Sequence, residues 1–169
     1  MRKLILTTLL AGGCLSAFCA QTERKTPKTY KPVRTEMYRK GWIDFNKNGV
    51  KDVYEDPNAP IDARIEDLLG QMTLDEKTCQ MVTLYQRVLK DDLPTPEWKE
   101  ALWKDGIGAI DEHLNGFRQW GLPPSDNENV WPASRHAWAL NEVQRFFVEE
   151  TRLGIPVDFT NEGIRGVES

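Results

Sequence analysis

The sequence predicts an α/β fold with parallel strands, and three observations carry that expectation. Two short apolar runs, Gly106 to Ile110 and Leu153 to Phe159, are bounded by Gly or Pro and are too short for helices. Between them, residues 134–152 carry Leu140, Val143 and Phe147 at helical spacing. A strand, a long helix and a second strand in this order form a βαβ unit, whose strands must run parallel.

The elements are justified in chain order. Arg2 and Lys3 precede the apolar run Leu4 to Ala11, followed by small residues. That is a secretory signal, expected over residues 1–20, and it is too short to span a membrane. Ala17, Cys19 and Ala20 suit cleavage. Cys14, after Ala11-Gly12-Gly13, also resembles a lipoprotein site, with Ala in place of the usual Leu three residues earlier. A secreted or periplasmic protein is expected, with a lipid anchor as the minority alternative.

Residues 22–40 hold seven Lys/Arg against two acids, a net of +5, with Pro27 and Pro32 among them. Residues 21–40 are expected to be a basic linker. Residues 41–169 hold 13 Lys/Arg against 24 acids, a net of −11, which argues against nucleic acid as a partner. Cys14 and Cys19 fall in the signal, so Cys79 alone belongs to the mature chain and no internal disulfide forms.

Residues 41–60 form a lead-in built around Asp44 to Glu55. This stretch fits a twelve-position calcium loop: Asp44, Asn46 and Asn48 at positions one, three and five, Gly49 at six, the Val50 carbonyl at seven, Asp52 at nine and Glu55 at twelve. A hard cation takes six to eight oxygens, and alternate side chains of a tightly turning backbone supply them. Lys51 replaces the usual aliphatic residue at position eight, and Met37 to Trp42 lacks a helical apolar stripe. The pattern therefore looks like an isolated extracellular calcium loop, and structural Ca²⁺ is expected. The alternative is a polar Asn-Gly turn with solvated acids.

Pro57 and Pro60 then open a helix in which Ile61, Ile65, Leu68, Leu69 and Met72 form one apolar face, expected to be buried. Thr73 and Glu76 form a capping box for a second helix, whose stripe is read through Leu74, Met81, Leu84 and Tyr85. A short helix over 94–104 carries Trp98, Leu102 and Trp103, residues 116–133 form a loop, and Ser134 is expected to cap the long helix.

Ligands of parallel α/β folds bind beyond the carboxyl ends of the strands. Asp111, Glu112 and His113 follow the first expected strand, and Asn161, Glu162 and Arg165 follow the second. For the first group a solvated loop is the stronger reading. Trp120 and Trp131 are read as buried loop anchors in preference to sugar-stacking surfaces, and His136 as a packing or surface residue.

Three segments now point the same way. Ala63 to Met81, Glu149 to Phe159 and Asn161-Glu-Gly-Ile-Arg-Gly166 together resemble the opening of glycoside hydrolase family three, from about Asp56 onward. The lead-in is similar to one found in some secreted bacterial members. The resemblance implies that residues 61–169 are the incomplete N-terminal part of a (β/α)8 TIM-like barrel. It implies a β-linked oligosaccharide or glycoside as substrate, hydrolysed with retention by two carboxyl groups about 5–5.5 Å apart. In the family both catalytic carboxylates come later in the chain, so no catalytic residue is expected here. No Lys-His-Phe, Ser-Asp-Trp or Thr-Asp-Trp motif occurs, and Ser125-Asp126-Asn127 is no substitute. The resemblance places Glu162 in the acidic slot that grips sugar hydroxyls, where Asp is common, and Arg165 where His is usual. A cation there can hold Glu162 in place. The rival expectation, from a different class, is a small secreted calcium-dependent binding module.

Overall fold

The computed structural model describes residues 31–85, 93–101, 103–111, 129 and 133–160. Residues 1–30, 86–92, 102, 112–128, 130–132 and 161–169 lie outside these.

A short 3-10 turn, Thr35–Met37, leads into an antiparallel pair, β1 (Tyr38–Arg39) and β2 (Trp42–Ile43). Gly41, at φ +85°, lets the two-residue connection close. Met37 is buried at the end of the basic stretch, and its carbonyl accepts from the Asp44 N–H. The calcium-like loop follows.

Helix α1 (Ile61–Gln71) begins after Pro60 as expected. Its apolar face is not covered by the described residues: none of α1 is buried, and Ile61 is 70% exposed. Periodicity identifies an apolar face but not the partner that covers it. The face instead borders a groove of about 320 Å³, lined by Phe45, Tyr54, Ile61, Ile65, Leu68 and Leu153.

The expected capping box is present at α2 (Leu74–Cys79). The Thr73 hydroxyl accepts from the Glu76 N–H at 3.2 Å, and the Glu76 carboxylate accepts from the Thr73 N–H at 2.8 Å. The helix ends at Cys79, however, and Thr83–Tyr85 is a strand, β3. Leu84 and Tyr85 therefore do not continue the helical stripe. Leu84 pairs with Ile110 in register, so neighbouring backbone outweighs local spacing.

Helix α3 (Pro96–Ala101) precedes β4 (Ala109–Asp111). Helix α4 (Ala133–Arg145) continues into a π-helical turn, Phe146–Glu150, before β5 (Asp158–Thr160). Ser134, expected as a cap, lies inside the first turn of α4. Both parallel strands are present, shifted towards the carboxyl side of the runs that predicted them, and β3 adds a third. The order is β3-β4-β5, all parallel, with Ile110 paired to Leu84 on one side and to Phe159 on the other.

The core lies between this sheet and α3 and α4. Ile110 is fully buried, and Leu84 and Phe159 pack beside it. Trp98 and Trp103 meet edge to face at 4.8 Å, as do Phe146 and Phe147 at 5.2 Å, an arrangement favoured by the ring quadrupoles. Val143, expected on the buried face of the long helix, is fully buried, as is Phe147, while Leu140 is half-buried.

Gly108 allows the sheet to start. Its N–H donates to the Cys79 carbonyl, and a Cβ there would lie 2.2 Å from the Gln80 carbonyl oxygen. The obstacle is backbone, so it cannot swing aside. Gly108→Ala should cost about 1–3 kcal/mol, read as a lower denaturant midpoint. An unchanged midpoint would mean that residues 79–82 yield without loss.

Candidate functional site

The parallel sheet brings the carboxyl ends of its strands to one edge. Tyr85, Asp111 and Thr160 are the last residues of β3, β4 and β5 and sit side by side in register. The Thr160 hydroxyl donates to Asp111 Oδ1 at 2.8 Å. Of the strand-end candidates, only Asp111 is among the described residues, and it is tied to the neighbouring strand. Glu112, His113, Trp120, Trp131, Glu162 and Arg165 lie outside them, Glu162 two positions beyond β5. His136 is half-buried on α4. Burial holds its imidazole below the ordinary histidine value, in keeping with a packing residue.

Two of the three segments that carry the family resemblance are bonded to each other. Glu76, besides capping α2, receives the Arg152 guanidinium: Nε donates to Oε1 at 2.9 Å and Nη2 donates to Oε2. The same Nη2 donates to the Gln71 carbonyl at 2.8 Å, closing the break between α1 and α2. Burial alone would raise the Glu76 carboxyl, but Arg152 and the Thr73 N–H outweigh it and hold it below the usual glutamate value. This fork needs a guanidinium, since a lysine offers one point charge in place of two fixed donors.

Glu149 is the fourth residue of the Phe146–Glu150 turn, and helical periodicity does not single it out. It is fully buried. Its Oε2 accepts from the N–H groups of Val33 and Arg34 at 2.9 and 3.0 Å, and Oε1 accepts from the Tyr38 hydroxyl at 3.0 Å. Burial would raise this carboxyl too, and the three donors outweigh it, leaving it below the ordinary value. Glu149 thus fastens the start of the described chain to the segment that leads to β5. The only sequence signal for such a role is an acid directly after the apolar Phe146-Phe147-Val148 run.

The calcium-like loop is an interlocked set of turns. Asp44 Oδ2 accepts from the Gly49 N–H at 2.9 Å. Glu55 spans the loop, accepting from the N–H of Asn46 at 3.2 Å and of Asp52 at 3.1 Å. Asn46 and Asn48 each donate a side-chain N–H to Asp52 Oδ2. Lys47 at φ +59° and Gly49 at φ +82° supply the curl. Asp44 and Glu55 are each only 2% exposed. Among the described residues, no three His, Cys, Asp or Glu side chains converge as a ready metal cluster, so a cation here also needs carbonyl oxygens of Asn46, Asn48 and Val50.

The loop is anchored to the rest of the fold. The Lys47 ammonium donates to the Thr151 carbonyl. Burial, and then repulsion from Arg34, lower its pKa to about 8 against the pull of Asp44 and Glu149. Phe45 stacks on Tyr54 at 6.3 Å, and burial together with the Glu55 carboxylate pushes the Tyr54 hydroxyl up. Gly154, at φ +61°, lets the chain pass the Phe45 carbonyl, from which a Cβ would be only 2.7 Å away.

The probable β-glucosidase C of Aspergillus oryzae is 26% identical over 161 residues, which is 95% of this chain and 23% of the fungal protein. The chain is therefore similar, over nearly all its length, to a stretch of a β-glucosidase, and spans less than a quarter of that relative. No protein-family profile matches it. No helix among the described residues is long and apolar enough to cross a membrane.

Proposed function

We propose that this chain is the N-terminal part of a secreted, retaining β-glycosidase of the β-glucosidase or β-xylosidase type, similar to glycoside hydrolase family three. The observation that carries the reading is the likeness to the fungal β-glucosidase across 95% of the chain. The parallel order β3-β4-β5 supports it, because a (β/α)8 barrel begins with such units and builds its site at the carboxyl ends of its strands. Glu162, just past β5, would grip hydroxyls of the sugar at the cleaved bond, where an ionised carboxylate accepts from two neighbours at once. Arg165 would hold Glu162 in place. The nucleophile and the acid/base would come from later strand ends, about 5–5.5 Å apart as retention requires.

The test is hydrolysis by the complete protein. It should cleave chromogenic β-glucosides or β-xylosides and release the β-anomer first, seen by proton NMR. The 169 residues alone should cleave neither substrate. Absence of turnover by the complete protein on any β-glycoside would overturn the reading, and turnover by the 169 residues would place the catalytic groups within them.

A further inference from the structure

We infer that the Asp44–Glu55 loop is a structural divalent-cation site of the calcium class, seated against the segment before β5. The inference stands apart from the glycosidase reading. Its first support is the donor pattern: carboxylates at loop positions one, nine and twelve, and amide or backbone carbonyls at three, five and seven.

The second support is independent of the pattern. Asp44 is 2% exposed, yet its Oδ1 has no hydrogen-bond partner. The other oxygen, Oδ2, is held on the loop side by the Gly49 N–H and lies 3.7 Å from the Arg39 guanidinium. The carboxylate is therefore fixed in orientation, with one buried oxygen left unpartnered. A buried acceptor without a donor is costly, and a cation is the partner that a loop of oxygen donors would offer it. Nitrogen and sulfur donors are missing from the set, which favours a hard ion over zinc or copper. Calcium is favoured over magnesium because a twelve-position loop supplies many oxygens in a flexible cage, while magnesium keeps its waters.

Taking up the ion exchanges bonds inside the loop for metal–oxygen bonds. The effect should reach beyond the loop, because Lys47 is bonded to the Thr151 carbonyl, Phe45 passes against Gly154, and Asn46 donates to Gln71 Oε1 at 3.2 Å. An ion in the loop would stiffen the junction of α1, the lead-in and the approach to β5.

Calorimetric titration of the complete protein, stripped with chelator, tests this. Calcium should bind once, at about 0.1–1 mM as in extracellular modules, and should raise the melting temperature. Magnesium should bind at least about tenfold more weakly. Asp44→Asn and Glu55→Gln keep the shape of the loop and should each weaken calcium binding at least about tenfold. Glu66→Gln, an exposed carboxylate on α1, should leave it unchanged. Circular dichroism of the metal-free variants checks their fold, and Asn48→Ala, at the rim, serves if either carboxylate variant unfolds. Unaltered calcium affinity in the folded variants, or no uptake by the parent chain, would overturn the inference.

Discussion

Glu162→Ala in the complete protein should lower kcat/KM for its preferred β-glycoside by about 2–4 kcal/mol of transition-state stabilisation. The reason is sequence position: Glu162 follows the last residue of β5 by two positions, and sites of parallel barrels are built just past the carboxyl ends of their strands. Bonds to sugar hydroxyls tighten as the ring moves towards its oxocarbenium-like state, so kcat should fall as well as KM rise. Arg165→Ala should cost less if it acts by orienting Glu162, and the two effects should not add. Steady-state kinetics of both single variants and the double variant read this directly. Near-normal kinetics for a folded Glu162→Ala protein would leave Glu162 an ordinary loop acid.

The second large effect concerns stability. Glu149→Ala should cost about 3 kcal/mol, because it strips the acceptor from two backbone N–H groups and a tyrosine hydroxyl together. The loss should depend on pH. The Glu149 carboxyl is held below its ordinary value of 4.5 in the folded chain, so the folded state favours the ionised form. Its contribution is complete above the unfolded value and declines as pH falls through the lower, folded one. Urea denaturation at pH 7 should show the full difference between parent and variant, and the gap should narrow below about pH 4.5. A gap that is constant with pH would mean that the carboxylate's charge plays no part.

Local signals were the ones legible in the sequence. The Thr73–Glu76 capping box and α1 depend on residues within a few positions of one another, and both stand where the sequence places them. Strand β3 was hidden, because Leu84 and Tyr85 keep the spacing of the preceding helix and carry no Gly or Pro to break it. They become a strand through Ile110, twenty-six positions from Leu84 in the chain. The exposure of Ile61 and Ile65 was hidden for a related reason: an apolar stripe says that a partner is wanted, not which one. For the strand-end site, position alone pointed to Asp111 and its neighbours, while Glu162 and Arg165 gained their roles only through resemblance. The Glu76–Arg152 bond explains why two of the resembling segments go together, since each supplies one half of a single contact.

The bonds to Glu149 also set an order of events. They join residues 111 to 116 positions apart. During synthesis Val33, Arg34 and Tyr38 emerge well before Glu149, so these three contacts cannot form until residue 149 has followed them out. Closing so long a loop carries an entropic cost that only a nearly assembled sheet and α4 can offset. This early-made segment is thus among the last of the described parts to settle, and its docking acts as a latch on a sheet and helix that are already built.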